Sequence, residues 1–185
     1  MTTVLETAIL ETKRLLLRPP AARDGAAITV FLADYDIAKN TARVPYPYRR
    51  ADADAFIADC AKKRKEGSGY GFVIARKPDL YCLGVIGIHL EDGVFELGYW
   101  LGKPYWGAGY ATEASIVVLR FAFGELCVEK ITAGHMVDNP ASGRVLAKLG
   151  FVQTGTEERH SNARGRTTLC HLCVVTRDGF EEHML

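Results

Sequence analysis

The sequence lacks the long apolar runs and leader patterns that direct a chain to a membrane or out of the cell. No run approaches the ~20 apolar residues that a membrane-spanning helix needs. The N-terminal residues 1–11 carry acidic side chains and do not have the basic-then-apolar order of a signal peptide. We therefore expect no membrane partner and a cytoplasmic location.

Cysteines are few and unevenly spaced, at positions 60, 82, 127, 170 and 173. An odd, irregular set does not suit a disulfide framework and fits a reducing compartment. Cys170 and Cys173 could suggest a metal site, but their Thr-, Leu- and Val-rich segment predicts a strand, on which they would face opposite sides of the sheet. No second ligand pair has suitable spacing. We predict structural cysteines and no bound metal.

An excess of charge of one sign is also missing. The chain has 23 Lys and Arg against 22 Asp and Glu, a formal net charge of +1, and the basic residues are scattered. This pattern offers no basic stripe for direct nucleic-acid binding and no acidic tail. With 48% apolar and 24% charged residues, the 185-residue composition is that of an ordinary globular protein. We predict a single domain, residues 1–185.

The elements that are present predict an α/β fold in the order βααβββαβαββ. Alternating and β-branched segments predict about seven strands in one mixed, mostly antiparallel sheet with flanking helices. Asp24 is a candidate N-cap for the first helix. Asp92-Gly93 predicts a hairpin turn. Asn139 and Pro140 predict the start of a helix that ends before Gly150. The predicted strands are Lys13–Arg18, Tyr70–Arg76, Leu83–Glu91, Val94–Leu101, Lys130–Val137, Phe151–Arg159 and Thr167–Arg177.

A glycine-rich loop, Gly102–Gly109, lies between a predicted strand and a predicted helix. Glycines let the backbone approach a ligand closely, and N–H groups at a helix N-terminus point at an anion such as a pyrophosphate. A dinucleotide fingerprint would need a third glycine where Thr112 stands, and a parallel β-α-β unit instead of a meander. A Walker loop would need Gly-Lys-Ser or Gly-Lys-Thr, which the chain does not contain.

The segment Trp106–Ala111 resembles the acetyl-CoA loop of the GNAT acetyltransferases, Gln/Arg-x-x-Gly-x-Gly/Ala. Trp106 replaces the leading Gln or Arg of that pattern. The continuation through Thr112-Glu113-Ala114 is similar to the branch that includes the ribosomal-protein alanine N-acetyltransferases. Two further stretches resemble the same branch in the same order: the opening Leu10–Arg18, and Asn139–Ser142 with Lys148–Phe151 after it.

The resemblance implies acetyl-CoA as co-substrate, an amine acceptor, and direct transfer in a ternary complex. It places pyrophosphate against the loop and helix start, through Trp106, Gly107, Ala108, Gly109, Tyr110, Ala111 and Thr112. Backbone N–H groups near Tyr99, Trp100 and Leu101 would hold the oxyanion, where the strand splays from its neighbour and pantetheine pairs with the free edge. Asn139 and Ser142 would contact pantetheine. The family contains monomers and homodimers.

An amine attacking a thioester needs a base, a stabilised oxyanion and an acid for the leaving thiolate. Glu96, ten residues before Trp106, is the candidate base, directly or through water; a structural ion pair is the alternative. Ser142 is the candidate acid, with a water relay or an ordinary polar role as alternatives. His135 is interpreted as structural or substrate-contacting. Tyr46 and Tyr48 lie where related enzymes place an acceptor wall, and Arg144 and Lys148 could reach adenosine phosphates or simply be solvated.

These features leave three hypotheses for function. The first is an enzyme that acetylates a protein N-terminal amine, as the ribosomal-protein branch suggests. The second is an acetyltransferase for a small amine, such as an amino acid, a polyamine or an antibiotic. The third, of another class, is a module that binds acyl-CoA as a sensor without turnover.

Overall fold

A computed structural model describes residue 5 and residues 7–184, which form one eight-stranded sheet with helices on both faces. The strands lie in the order β1-β2-β3-β4-β5-β6-β8-β7, and all neighbours are antiparallel except the parallel pair β5 and β6. The strands are β1 (Leu10–Glu11), β2 (Leu15–Arg18), β3 (Gly69–Arg76), β4 (Cys82–Glu91), β5 (Val94–Leu101), β6 (Lys130–Met136), β7 (Val152–Ser161) and β8 (Arg166–Thr176).

Of the helices in this region, three lie between β2 and β3, and the other three follow β5, β6 and β8. They are α1 (Gly25–Leu32), α2 (Tyr35–Ala38), α3 (Arg50–Glu66), α4 (Tyr110–Gly124), α5 (Pro140–Ala147) and α6 (Arg177–Met184), with short 3₁₀ turns at Ala22–Asp24 and Lys103–Tyr105. None of the helices within residues 5 and 7–184 combines the length and the apolar character needed to cross a membrane.

The sheet has two apolar cores, one on each face. The larger core packs β-strand side chains such as Phe72 and Ile86 against α4, α5 and α6, through Leu119, Leu146 and Phe180. The smaller core lies on the opposite face under α1, α2 and α3 and contains Ile28, Leu32, Ile37 and Ala53. Both faces of the central strands are therefore covered, which explains their nearly continuous apolar sequences.

The α/β architecture is confirmed, with eight strands where about seven were predicted. The predicted strand Lys13–Arg18 begins only at Leu15, and a separate short strand, β1, precedes it. Thr12 causes the break, because its hydroxyl accepts a hydrogen bond from the Leu15 N–H at 2.9 Å and turns the chain. The C-terminal helix α6 was not predicted, since it is mostly charged and held by one buried aromatic residue, Phe180.

Asp24 does not cap α1 with its side chain, so this prediction was wrong. The carboxylate instead accepts hydrogen bonds from the Arg18 guanidinium at 2.7 Å and from the Ala21 N–H at 2.8 Å. Asp24 is 4% exposed and Arg18 7% exposed. The pair joins the end of β2 to the start of α1 inside the protein.

The feature that positions the site is a split between β5 and β6. These strands pair only along Phe95–Leu97 and Ile131–Ala133. Beyond this point, residues Gly98–Leu101 stay paired with β4 but not with β6. The sheet therefore opens toward the carboxyl ends of β5 and β6, and no strand of the described residues pairs with the edges that face each other there.

Candidate active site

A cleft of about 760 Å³ occupies the split between β5 and β6. One end is formed by the glycine loop and the start of α4, and the middle by the free half of β5 and the start of α5. The other end lies between α3, the segment after α2, and the hairpin of β4 and β5. The cleft thus connects the predicted cofactor loop with the predicted acceptor side.

The glycine loop presents consecutive backbone donors. Gly107 and Gly109 have φ values of 74° and 79°, in the left-handed region that favours glycine. The N–H groups of Gly107, Ala108 and Gly109 have no hydrogen-bond acceptor in the part of the chain that the structure describes. Because Gly109 precedes the first turn of α4, the helix dipole adds positive potential at the same place. This arrangement suits a pyrophosphate.

The predicted loop residues divide between the cleft and its outer rim. Trp106, Gly107 and Ala111 line the cleft, while Ala108, Gly109, Tyr110 and Thr112 lie on the rim and in the first turn of α4. The Trp106 indole N–H donates to the Leu101 carbonyl at 2.8 Å. The residue that departs from the family pattern therefore ties the loop to the end of β5.

The second group of predicted residues lines the middle of the cleft: Tyr99, Trp100, Leu101, Asn139 and Ser142. Asn139 caps α5, as predicted, because its side-chain oxygen accepts from the Ser142 N–H at 3.3 Å. Pro140 is the first helical residue, and Gly150, with φ 81°, follows the last turn. Capping fixes the position of the Ser142 side chain in the cleft.

Tyr99 and Ser142 form a hydroxyl pair. The Tyr99 hydroxyl lies 2.8 Å from the Ser142 Oγ, across the split between β5 and α5. Burial raises the pKa of Tyr99 to about 12, although its hydrogen bond with Ser142 acts in the opposite direction. The phenol is therefore protonated at neutral pH. Tyr99 was predicted only as a backbone contact; the period of two along β5 would have placed its side chain beside Leu97 and Leu101, toward α5.

Glu96 is held in an ion pair. Its two carboxylate oxygens accept hydrogen bonds from Arg159 of β7 at 2.5 and 3.1 Å, and Arg159 also pairs with Glu157. Burial would lower the pKa of Arg159, but the bonds to Glu96 and Glu157 raise it above the ordinary range. The ion-pair interpretation of Glu96 is thus observed, and its role as a base stays a prediction.

His89 is a second titratable group beside Glu96 that was not predicted. It lines the cleft and pairs in register with Glu96 across β4 and β5. Its Nε2 is buried without a hydrogen-bond partner among the described residues, and the carboxylate of Glu91 lies 3.5 Å away. Burial, with the nearby Arg43 charge, lowers the pKa of His89, so the imidazole is neutral at pH 7. The register of the predicted Asp-Gly hairpin would have brought His89 opposite Glu96.

The remaining predicted residues differ in their positions. His135 lines the cleft, and its ring centroid lies 5.0 Å from that of His171. Tyr48 is buried in the cleft wall, whereas Tyr46 is 46% exposed and packs on Tyr35 away from the cleft. Arg144 is exposed on α5, and Lys148 is exposed directly after its last residue.

The acceptor end of the cleft has an apolar wall, and its cationic side chains are paired. Its wall includes Val44, Pro45, Tyr48 and Phe56. Three cations line this end, and each contacts a carboxylate: Arg43 with Glu91, Lys63 with Asp59 at 2.7 Å, and Arg159 with Glu96. The floor consists of glycines that face each other across three strands, Gly71, Gly87 and Gly98.

Comparison with known proteins identifies the family. A model of the acetyltransferase (GNAT) domain matches residues 14–152. The chain belongs to the GNAT acetyltransferases. An uncharacterized N-acetyltransferase, p20 from Bacillus licheniformis, is 28% identical over 162 residues, which cover 85% of this chain and 89% of that protein. The protein is accordingly an N-acetyltransferase.

Two solved structures show the same GNAT fold. RimJ from Mycobacterium smegmatis, in complex with CoA-disulfide, has a TM-score of 0.79 and 22% identity, covering 93% of this chain and 87% of that one. The ribosomal-protein-S5-alanine acetyltransferase from Vibrio fischeri has a TM-score of 0.79 and 19% identity, covering 94% and 98%. At these identities, the likeness concerns the GNAT fold alone.

Proposed function

We propose that this N-acetyltransferase uses acetyl-CoA and transfers the acetyl group to the N-terminal amine of a protein, of the ribosomal-protein type. The observation that carries the proposal is the continuity of one cleft from the glycine loop to the free half of β5. The N–H groups of Gly107–Gly109 in this loop have no acceptor among the described residues. A donor with a pyrophosphate at one end and an amide-containing arm at the other fits such a cleft.

The chain's own groups fit the parts of acetyl-CoA. The N–H groups of Gly107, Ala108 and Gly109 would bind the pyrophosphate, and the free edge of β5 at Gly98–Leu101 would pair with the amides of the pantetheine arm. Asn139 lies beside this edge, in the cleft lining. Acetyl-CoA supplies the activated thioester; the residues of the cleft bind it, orient it and move protons. The complex of M. smegmatis RimJ with CoA-disulfide supports this assignment by analogy.

The proton-transfer groups lie on opposite sides of the split. Glu96 is the predicted base and would take the ammonium proton directly or through water. The neutral Nε2 of His89 is the second candidate beside it, acting through water. The Tyr99 and Ser142 hydroxyls, 2.8 Å apart, form a protonated donor for the departing thiolate on the α5 side. Ser142 is the predicted acid, and Tyr99 can replenish its proton.

The acceptor end favours a protein N-terminus over an amino acid. A free amino acid carries a carboxylate near its amine, and binding this group in a cleft requires an unpaired cation. The cations that line this end, Arg43, Lys63 and Arg159, all have carboxylate partners. A peptide N-terminus presents a neutral amide at the same position, and the apolar wall can pack against its first side chain. The name of the V. fischeri neighbour supports this acceptor class.

The test combines isothermal titration of acetyl-CoA with a thiol-release assay over two acceptor panels. One panel contains peptides with free N-termini and the same peptides with blocked N-termini; the other contains amino acids, polyamines and aminoglycosides. We expect saturable binding and thiol release only with free peptide N-termini. Thiol release only with small amines would contradict the proposed acceptor class. Binding of acetyl-CoA without thiol release would indicate a sensor. Absence of binding by the folded protein would contradict the proposed use of acetyl-CoA.

A further inference from the structure

The turn between β1 and β2 contacts the beginning of α4, although nearly a hundred residues separate them in sequence. The Thr12 hydroxyl donates to the Glu113 carboxylate at 2.5 Å, and the Arg14 N–H donates to the same oxygen at 3.1 Å. The Arg14 guanidinium pairs with the other oxygen of Glu113 at 2.6 Å through both Nε and Nη2. Two residues of the turn are thus fixed on the first turn of the helix that follows the cofactor loop.

Arg14 also reaches into the loop itself. Its Nη1 donates to the Ala108 carbonyl at 3.0 Å, and its guanidinium lies 4.3 Å from the centroid of the Tyr110 ring. The Nη2 atom is so close to Gly109 that a Cβ there would lie 3.6 Å from it. One side chain therefore contacts the residues on both sides of the left-handed Gly109.

The bond to the Ala108 carbonyl controls the direction of the adjacent donor. The Ala108 carbonyl and the Gly109 N–H belong to one planar trans peptide, so they point in opposite directions. When Arg14 binds the carbonyl on the side of β1 and β2, the Gly109 N–H is turned to the other side. Without this bond, the peptide can rotate about ψ of Ala108 and φ of Gly109, because glycine accepts both signs of φ.

We infer that Arg14 is a positioning residue for the cofactor loop: by holding the Ala108 carbonyl, it keeps the Gly109 N–H directed at the pyrophosphate of acetyl-CoA. The inference rests on the proposed use of acetyl-CoA. Arg14 does not need to contact the co-substrate, and its charge is balanced by Glu113. Its effect is to prevent a carbonyl oxygen, which would repel phosphate, from replacing the N–H at that position.

The geometry requires an arginine and not merely a cation. The fork of the guanidinium bonds the carboxylate with Nε and Nη2 while Nη1 remains for the carbonyl. Lysine has three donors on one nitrogen and no fixed fork, so it can serve the carboxylate or the carbonyl but not both in this arrangement. Lys13, the neighbouring residue, is exposed and provides a matched control of the same charge in the same turn.

The experiment compares Arg14→Met, Arg14→Lys and Lys13→Met with the wild-type chain. Isothermal titration is performed with acetyl-CoA and with S-acetylpantetheine, which lacks the pyrophosphate. We expect Arg14→Met to weaken acetyl-CoA binding about tenfold, the usual effect of one charge-assisted hydrogen bond, while S-acetylpantetheine binding changes less than twofold. Arg14→Lys should lie between Arg14→Met and the wild type, and Lys13→Met should match the wild type.

A second measurement reads the loop without any ligand. Hydrogen exchange of the amides in residues 106–110 should be faster in Arg14→Met than in Lys13→Met, with unchanged exchange in β3 and β4. Equal loss of affinity for both ligands would indicate a general structural defect and overturn the inference. Wild-type affinity and exchange in Arg14→Met would overturn it while leaving the proposed function intact. Absence of acetyl-CoA binding by the folded wild-type chain would overturn both.

Discussion

At the scale of single residues, the chemistry of the cleft depends on which hydroxyls, carboxylates and imidazoles are already engaged. The Glu96 carboxylate is bound on both oxygens by Arg159, whereas the Nε2 of His89, on the neighbouring strand, has no hydrogen-bond partner in the described part of the chain. On the other side of the split, Tyr99 and Ser142 bind each other. Glu96 and Ser142, which the sequence predicts as base and acid, therefore form hydrogen bonds with residues that are far from them in the sequence.

The first residue-scale prediction concerns the acid. We expect Tyr99→Phe to lower kcat about a hundredfold, the range of general acid catalysis, with acetyl-CoA affinity within twofold of wild type. The substitution removes the proton reservoir behind Ser142 and keeps the ring. Because burial raises the pKa of Tyr99 to about 12, the phenol should not cause a loss of activity below pH 10. Steady-state kinetics from pH 6 to 10 measure this; unchanged kcat in Tyr99→Phe would leave Ser142 or water as the acid.

The second residue-scale prediction separates the two candidate bases. We expect His89→Gln to reduce kcat/KM about a hundredfold at pH 7.5, since its free imidazole is available to accept a proton. The lowered pKa of His89 means that the group loses its lone pair only at pH values below the ordinary histidine range. The acid limb of the wild-type pH profile should therefore lie below pH ~6.5 and disappear in His89→Gln.

The matched variant for this comparison is Glu96→Gln. It breaks the ion pair with Arg159, so thermal unfolding is recorded beside the kinetics. If folded Glu96→Gln loses transfer while His89→Gln retains it, then Glu96 is the base, as the sequence predicts.

At the scale of elements, short links between strands and helices hold the site in place. Arg18 and Asp24 fix the end of β2 to α1, and both side chains are buried. Burial would raise the pKa of Asp24, but hydrogen bonds from Arg18 and from the Ala21 N–H lower it below its ordinary value. The charged pair therefore contributes stability above the unfolded pKa of about 3.9, and this contribution is lost as pH falls through the lower folded value.

Asp24→Asn should consequently destabilise the protein by about 3–5 kcal/mol at pH 7, because it leaves the buried Arg18 charge uncompensated. Urea unfolding at pH 7 measures the change. The difference in the free energy of unfolding between wild type and variant should decrease as the pH is lowered through the folded pKa of Asp24. A difference below about 1 kcal/mol at pH 7 would show that the pair is not needed for stability.

The glycine floor gives a second prediction at this scale. A Cβ at Gly98 would have no atom within 4 Å, whereas a Cβ at Gly87 would lie 2.7 Å from the Tyr70 carbonyl oxygen. Gly98→Val should thus fold with a melting temperature close to wild type and lose most transfer activity, because its side chain projects into the cleft. Gly87→Ala should lower the melting temperature by several degrees. Full activity of Gly98→Val would mean that the substrates do not pass over this floor.

The strands of the meander β3–β5 were predictable because the alternation and the turn residues that define them are local features of the sequence. The bounds of β5 agree with the predicted Val94–Leu101, and the cap at Asn139 is correct, because alternation and capping are local properties. Asp24 was predicted to cap α1, but its carboxylate accepts a hydrogen bond from Arg18, on the preceding strand. Glu96 and Arg159 are 63 residues apart, so no local sequence pattern predicts their contact. The site was thus predictable as a set of positions, and its hydrogen-bond partners were not.

At the scale of the whole molecule, the protein should be stabilised against unfolding by acetyl-CoA, its proposed co-substrate. Within the described part of the chain, the split in the sheet leaves one edge of β5 unpaired at Gly98–Leu101. A ligand that pairs with this edge binds the folded protein and not the unfolded chain. At acetyl-CoA concentrations of 100 times Kd, unfolding should cost about 2.7 kcal/mol more than without ligand. Differential scanning calorimetry at increasing acetyl-CoA checks this, with acetate as a control that should have no effect.

The seam between β5 and β6 also divides the chain cleanly in sequence. Strands β1–β5 all precede residue 102, and strands β6–β8 all follow residue 129, with α4 between them. A cut in the short connection at residues 125–129 would therefore yield two fragments that each carry a contiguous block of the sheet. The two blocks also meet through the larger core and the Glu96–Arg159 ion pair, and they share the cleft proposed for acetyl-CoA. Acetyl-CoA should therefore strengthen their reassembly, and such a split protein would respond to that metabolite.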